Sequence, residues 1–305
     1  MQNTHNTHSR IHKLNGFPSH NVCCYVKRDD ELSCGISGTK YRKYTSIIPY
    51  LIANNIKHLL IIAGAQSNNL LAALQVAREL QLKVTAFLLK PKSDTVQGNF
   101  KLSRLFLQKN EIIWVERSHW PSVNLQAENY LDTLGEKGLV LSEGASIAEA
   151  LPGAMSLADD ILCNEKQTGI QFSSIFIDAG TGFAASALLH RMTQLNHHAD
   201  VYVLLLADSE EQFNDKLVYW LGYRPQNYYV IRPHTARSFG AVNGAVKQEI
   251  KRMAIEEGIL VDPVYSAKLF HEARRVITTQ KITGNVLIIH SGGVLTLPGF
   301  DWSFD

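Results

Sequence analysis

Short runs of uniformly apolar residues recur along the chain, each followed by a longer stretch in which apolar positions return every three or four residues. His58 to Gly64, "HLLIIAG", is the first clear run, and the "NNLLAALQVAREL" that follows has the period of an amphipathic helix. "KVTAFLL", a helix around "NFKLSRLFLQ", "EIIWV", a helix through "NLQAENYLDTLGEKG" and then "LVLSEG" repeat the alternation. A second series begins near Gly144. It runs through a helix in "AMSLADDILCNEKQ", the strand "SSIFIDAG", a helix in "ASALLHRMTQL" and the strand "VYVLLLA", and later through a helix at "GAVKQEIKRMAIEEG" and the strand "NVLIIHSGG". Strands with one wet face alternate polar and apolar residues; these do not, so both faces are buried, as in parallel sheets covered by helices. The pattern predicts an α/β protein with parallel-rich open sheets in two series.

Composition narrows the classes. A chain of 305 residues with 45% hydrophobic and 19% charged residues can bury a substantial core. The net charge of +2, without a basic stripe interleaved with aromatics, argues against nucleic acid as a partner. The N-terminal "MQNTHNTHSRIHKLNG" lacks the apolar run of a secretory signal, and no segment reaches the length of a membrane span, so the reading is a cytoplasmic protein without a membrane partner. Cys23, Cys24, Cys34 and Cys163 form no spaced framework and read as reduced thiols, the adjacent pair as strand residues. The histidines, His119 and His190 among them, show no metal-ligand spacing and read as surface or satisfied core residues; no metal is expected.

Four of the expected strands end in small polar or glycine-rich turns, "AGAQSNN", "LSEGAS", "DAGTGFAAS" and "HSGG". Ligands of open α/β sheets collect at such carboxyl ends. In "IDAGTGFAASALL", Gly180, Thr181 and Gly182 run directly into a helix, where backbone N–H groups and the positive helix end suit a phosphate; the alternative is a plain tight turn. It is neither a P-loop nor a full dinucleotide fingerprint. In "GISGTKYRKY", Lys40 and Lys43 stand three apart and so share a helical face. They read either as a solvated helix start or as a pair in which one lysine forms an imine and the other neutralises a phosphate.

Five collinear segments carry a resemblance. "YVKRDDELSCGISGTKYRKY", "AGAQSNN", "QGNFKLSRLF", "EEGILVDPVYSAK" and "VLIIHSGG" are similar to motifs of the pyridoxal 5'-phosphate (PLP) enzymes that include 1-aminocyclopropane-1-carboxylate (ACC) deaminase and D-cysteine desulfhydrase. The resemblance spans about Tyr25 to Gly293. It implies the two-domain tryptophan-synthase-β-like fold (fold type II), with a small domain over residues 45–143, a large PLP-binding domain from residues 1–44 and 144–305, and a homodimer. By it, Lys40 is the Schiff-base lysine, Lys43 contacts the phosphate, and Gly180, Thr181, Gly182, Phe183 and Ala184 cradle it. Asn68 matches the residue that hydrogen-bonds the phenolic oxygen, Ser67 the serine near the substrate carboxylate and Cα, and Tyr265 an active-site tyrosine. Ser266 matches the position by the pyridine nitrogen, and Ser291 is a further cofactor-binding position. Read without it, Ser67 and Asn68 form a helix cap, Tyr265 is a packed aromatic and Ser266 a helix N-cap.

The chain departs from the family pattern at Thr39, Asn69 and Phe239, where Asn, His and a second active-site Tyr are usual. The activity implied is breakdown of a small amino acid. Hydroxyl residues at 266 and 291 are the D-cysteine desulfhydrase habit, whereas ACC deaminases tend to have Glu and Leu there, and without that Glu the electron sink is expected to be weaker. Expected products are therefore pyruvate, ammonia and sulfide from D-cysteine. ACC deamination is the enzymatic alternative, and a catalytically silent PLP- or metabolite-binding relative the non-enzymatic one.

Overall fold

The computed structural model describes residues 6–18, 21–33, 35–91 and 98–300. Cys34, Gln97 and the first five residues, which enter the readings above, lie outside the described residues. Two strands, β1 (Ile11–Lys13) and β2 (Val22–Lys27), precede helix α1 (Gly38–Ala53). Next come β3 (His58–Gly64), α2 (Asn68–Glu79), β4 (Lys83–Leu89), α3 (Gly98–Ser103), β5 (Ile112–Val115), α4 (Val123–Thr133) and β6 (Gly138–Leu141). The chain continues through α5 (Leu151–Thr168), β7 (Ser174–Ala179), α6 (Phe183–Gln194), β8 (Asp200–Leu205), α7 (Glu210–Leu221), β9 (Tyr228–Ile231), α8 (Gly244–Arg252), α9 (Ser266–Thr279) and β10 (Gly284–Ile289). β3 and β4 coincide with their apolar runs residue for residue. The helix expected around "NFKLSRLFLQ" is shorter, because Arg78 takes the Phe106 carbonyl at 3.0 and 2.7 Å and the chain turns there.

Two compact units emerge, Met1–Arg42 with Ala154–Val294 and Lys43–Gly153 with Leu295–Asp305, and the division falls inside α1. The first unit holds a six-stranded sheet in the order β1-β2-β10-β7-β8-β9, parallel except for β1 against β2. Ile175, Ile177, Val201, Val203, Leu287 and Ile289 share a core with Leu157 and Ile161 of α5 and Leu188 and Leu189 of α6. The second unit holds a parallel sheet, β5-β4-β3-β6. Leu60, Ile62 and Phe87 pack there with Val123 and Ala127 of α4. Burying each of these large side chains contributes about 1.5–3 kcal/mol. No helix among the described residues is long and apolar enough to cross a membrane.

In the first unit a buried ion cluster fixes the start of α1. Arg42 donates Nε to Asp29 Oδ2 at 2.6 Å and Nη2 to Asp29 Oδ1 at 2.7 Å, a two-pronged contact, and the same Nη2 reaches Asp160 Oδ2 at 2.7 Å. Lys27, on β2, donates to Asp160, to Asn164 and to the Ser9 carbonyl. Lys27, Asp29 and Arg42 have no exposed surface and Asp160 very little. The two carboxylates are thus matched by two cations. The cations hold the Asp160 carboxyl below the ordinary range, against the opposing push of burial. Removing one partner of such a set leaves a buried charge uncompensated. Arg42→Met is expected to lower the unfolding free energy by about 3–5 kcal/mol, read from urea denaturation.

Candidate active site

The first unit gathers Lys40, the Gly180 turn, Tyr265, Ser266 and Ser291 at the carboxyl ends of β7 and β10. These strands are parallel neighbours, with Ile288 opposite Phe176, so Asp178 and His290 each lie two residues beyond that pair. The α1 start is pressed onto the same end: Thr39 N–H donates to Ser291 O at 3.2 Å. Gly38 has φ +63°, and a Cβ built there would lie 1.8 Å from Ser291 O. Only glycine permits so close an approach. Lys40 follows two residues later, half-buried. Burial pushes its ammonium below the ordinary lysine value of 10.5, against the opposing pull of Asp178 and Asp262.

Gly180 to Gly182 joins β7 to α6. Gly182 caps the helix with φ +81°, and a Cβ there would sit 2.9 Å from Phe213 Cδ2; at Gly180 it would sit 3.0 Å from Tyr265 Cε1 and 3.4 Å from its phenol oxygen. The turn is therefore bare backbone at a helix N-terminus, with the Tyr265 phenol against it, a donor set that fits a phosphate. Phe183 is buried edge-on to Trp220, and Ala184 lies in the first turn of α6. Lys216, which the sequence did not single out, donates to Asp208 at 2.7 Å and to Thr181 O at 3.3 Å.

Asp262 was also missed as a chemical residue, although it stands in "DPVY". Its carboxylate accepts the N–H groups of Val264, Tyr265 and Ser266 at 2.9, 2.9 and 2.7 Å and the Ser266 hydroxyl at 2.7 Å. Those bonds form the start of α9 and aim Tyr265. They also occupy Ser266, whose Oγ accepts the Asp262 N–H at 2.7 Å. Phe239 is about half exposed and meets Tyr265 edge-on at 5.9 Å. Lys268 tethers that loop through the carbonyls of Ala236 and Ser238 at 2.8 and 3.3 Å.

Within the second unit, Ser67 caps α2, accepting the N–H groups of Asn69 and Leu70 at 3.1 and 3.4 Å. Its own hydroxyl proton then remains available for an outside acceptor. Asn68 Oδ1 accepts from Asn99 Nδ2 at 2.6 Å, so Asn99, in the "QGNFKLSRLF" segment, orients it. Asn69 is buried and accepts the Tyr44 hydroxyl at 3.2 Å. Lys43 is buried, its ammonium donating to Gly144 O at 2.6 Å.

No protein-family model matches the chain. It is 24% identical to an ACC deaminase of Cyberlindnera saturnus, covering 97% of this chain and 93% of that protein. It is 26% identical to a D-cysteine desulfhydrase of Yersinia enterocolitica, over 90% of this chain and 87% of that one. Its relatives are ACC deaminases and D-cysteine desulfhydrases. The crystal structure of an ACC deaminase homologue superposes with a TM-score of 0.78 at 21% identity, covering 96% of this chain and 91% of that one. An O-ureido-L-serine synthase superposes with a TM-score of 0.68 at 16% identity, over 97% and 95% of the two chains. The architecture is that of fold type II PLP enzymes.

Gly38→Ala combines a left-handed backbone position with overlap on the Ser291 carbonyl. It is expected to cost about 3 kcal/mol or more, measured by denaturant unfolding. Ser67→Ala removes only a helix cap from the unliganded protein and is expected to cost about 1 kcal/mol in the same assay.

Proposed function

We propose that this chain is a PLP-dependent lyase that eliminates a β-substituent from a small amino acid, with D-cysteine as the leading substrate. The observation that carries this reading is Lys40. A lysine with a lowered pKa stands at a helix start in the same unit as a glycine turn suited to phosphate, in a chain whose relatives include D-cysteine desulfhydrases. The first unit's residues suit the cofactor: Lys40 would hold it covalently and Gly180 to Ala184 would receive its phosphate. By the resemblance, Lys43 would assist with the phosphate and Asn68 would donate to the phenolic oxygen. When bound, the cofactor supplies an electron sink for charge left at the substrate Cα.

The chain's own residues would do the rest. Lys40 would take the Cα proton, a role that a pKa below the ordinary lysine value favours. Ser67 donates its free hydroxyl proton to the substrate carboxylate. Tyr265, held by the Asp262 turn, packs against the phosphate turn and limits water. Loss of thiolate from D-cysteine, then hydrolysis of the released enamine, yields pyruvate, ammonia and sulfide. Ser266 and Ser291, hydroxyl residues as in desulfhydrases, support D-cysteine over ACC.

Borohydride reduction of PLP-loaded protein is expected to fix the cofactor on Lys40, read by peptide mass spectrometry, and Lys40→Ala to abolish attachment. Adduct formation should rise with pH to a midpoint below 10.5, because a depressed lysine pKa exposes the free amine earlier. Incubation with D-cysteine and with ACC separates the activities. Sulfide and pyruvate support the proposal, 2-oxobutyrate from ACC alone reverses the substrate, and PLP binding without turnover of either indicates a silent relative.

A further inference from the structure

Asp178, near the end of β7, has no role in the mechanism above and no counterpart among the residues the sequence singled out. Its carboxylate is almost wholly buried, and its Oδ1 atom is out of contact with solvent and accepts no hydrogen bond. A buried carboxylate oxygen without a donor costs about 1–3 kcal/mol or more, so a native site that keeps one has a use for it. The Ser291 side chain is a neighbour that favours the ionised form of this carboxyl, and the charged or titratable groups that face it are Lys40 from α1, Asp262 from the turn before α9 and His290 beyond β10.

Each neighbour can be followed to its own partners. Asp262 is saturated by the four donors at the α9 start. His290 places Nε2 2.7 Å from Leu260 O and receives the Gly292 N–H on Nδ1 at 3.2 Å, so neither ring nitrogen bonds Asp178. Lys40 faces both carboxylates as an ammonium, but once its nitrogen is bonded to a carbonyl carbon it no longer has three N–H donors to offer them. Asp178 Oδ1 would then remain an empty acceptor site without a lysine ammonium to fill it. Ser266, the expected contact of the pyridine nitrogen, already has its proton on Asp262.

We propose that Asp178, oriented by the Ser291 hydroxyl, is the acidic partner of the cofactor's ring nitrogen and keeps that nitrogen protonated. The proposal rests on the PLP reading above. The proton would pair with the buried carboxylate, and a pyridinium withdraws electrons more strongly than a neutral pyridine. The carboxylate that the sequence lacks at position 266 is supplied instead from the neighbouring strand. The electron sink is then not weak, which removes that argument against ACC and leaves the hydroxyl pair at 266 and 291 to favour D-cysteine. In the protein without cofactor, burial pushes the Asp178 carboxyl up to about 6.

The test uses full-length protein loaded with PLP carrying nitrogen-15 in its ring. In wild type at pH 7.5 the ring-nitrogen resonance is expected at the pyridinium position, and in Asp178→Asn, which preserves shape, at the neutral-pyridine position. Ser291→Ala should give a shift in the same direction but a smaller one. A neutral-type resonance in wild type, or a pyridinium resonance unchanged in Asp178→Asn, overturns the inference while leaving PLP binding standing. So does a change confined to the pH midpoint of Lys40 adduct formation, which would make Asp178 a partner of the lysine alone. If wild type takes up no PLP on Lys40, the functional reading falls and this inference with it. Folding of the variant is checked without cofactor. Because the native Asp178 pKa is raised, its ionisation costs stability above about pH 6 and not below the ordinary aspartate value of 3.8. Apo Asp178→Asn should therefore gain in urea midpoint over wild type at pH 8 relative to pH 4.

Discussion

The contact on which the candidate site depends is the two-pronged pairing of Arg42 with Asp29, extended by Asp160 and Lys27. Arg42 lies two residues beyond Lys40 in α1, so clamping its guanidinium sets the position of the helix start. Two carboxylates and two cations shut away from water offset one another only if their geometry holds, since a buried ion without its partner is far more costly than a lost surface pair. Such a cluster supplies little net stability but strongly disfavours any other placement of α1. A hydrophobic anchor, being non-directional, would define the reactive lysine less sharply.

Lys40 itself sits under opposed forces. Burial drives its charge off, while Asp178 and Asp262 draw it back. The two carboxylates differ in how they are held: Asp262 is consumed in building the α9 start, whereas Asp178 retains a bare oxygen. Reactive sites often keep such imbalance at a cost in stability, because the groups left unsatisfied by the protein are those that can engage a ligand. Glycine at 38, 180 and 182 serves the same end by sterics. It lets backbone approach backbone or ring where any side chain would intrude.

The departures from the family pattern acquire structural content. Asn69 is turned inward within its unit, where Tyr44 holds it. Phe239 offers only a ring edge to Tyr265, so that position has no hydroxyl with which to move a proton or bind a polar substrate group.

Much of this was open to reading along the chain, and for a definite reason. Strands buried on both faces are continuous apolar runs, so β3 and β4 showed their exact limits, and the strand-to-helix turns after β3 and β7 were marked by small and polar residues that have no place in a core. Lys40, Ser67, Asn68 and the Gly180 turn stood in short contiguous segments that marked them as candidates. What the sequence could not disclose were relations between distant segments. Asp29 and Asp160 lie on either side of the second unit's main segment in the chain, yet both meet Arg42. Asn99 meets Asn68 across 31 positions, and Asp178 meets Ser291 only because β7 and β10 pair in register. An aspartate in an apolar strand looks the same whether it is paired, capping or left open. Periodicity and motif report what a residue is beside in sequence, but its charge state and its free acceptor sites depend on which groups from elsewhere in the chain the packed sheet brings against it.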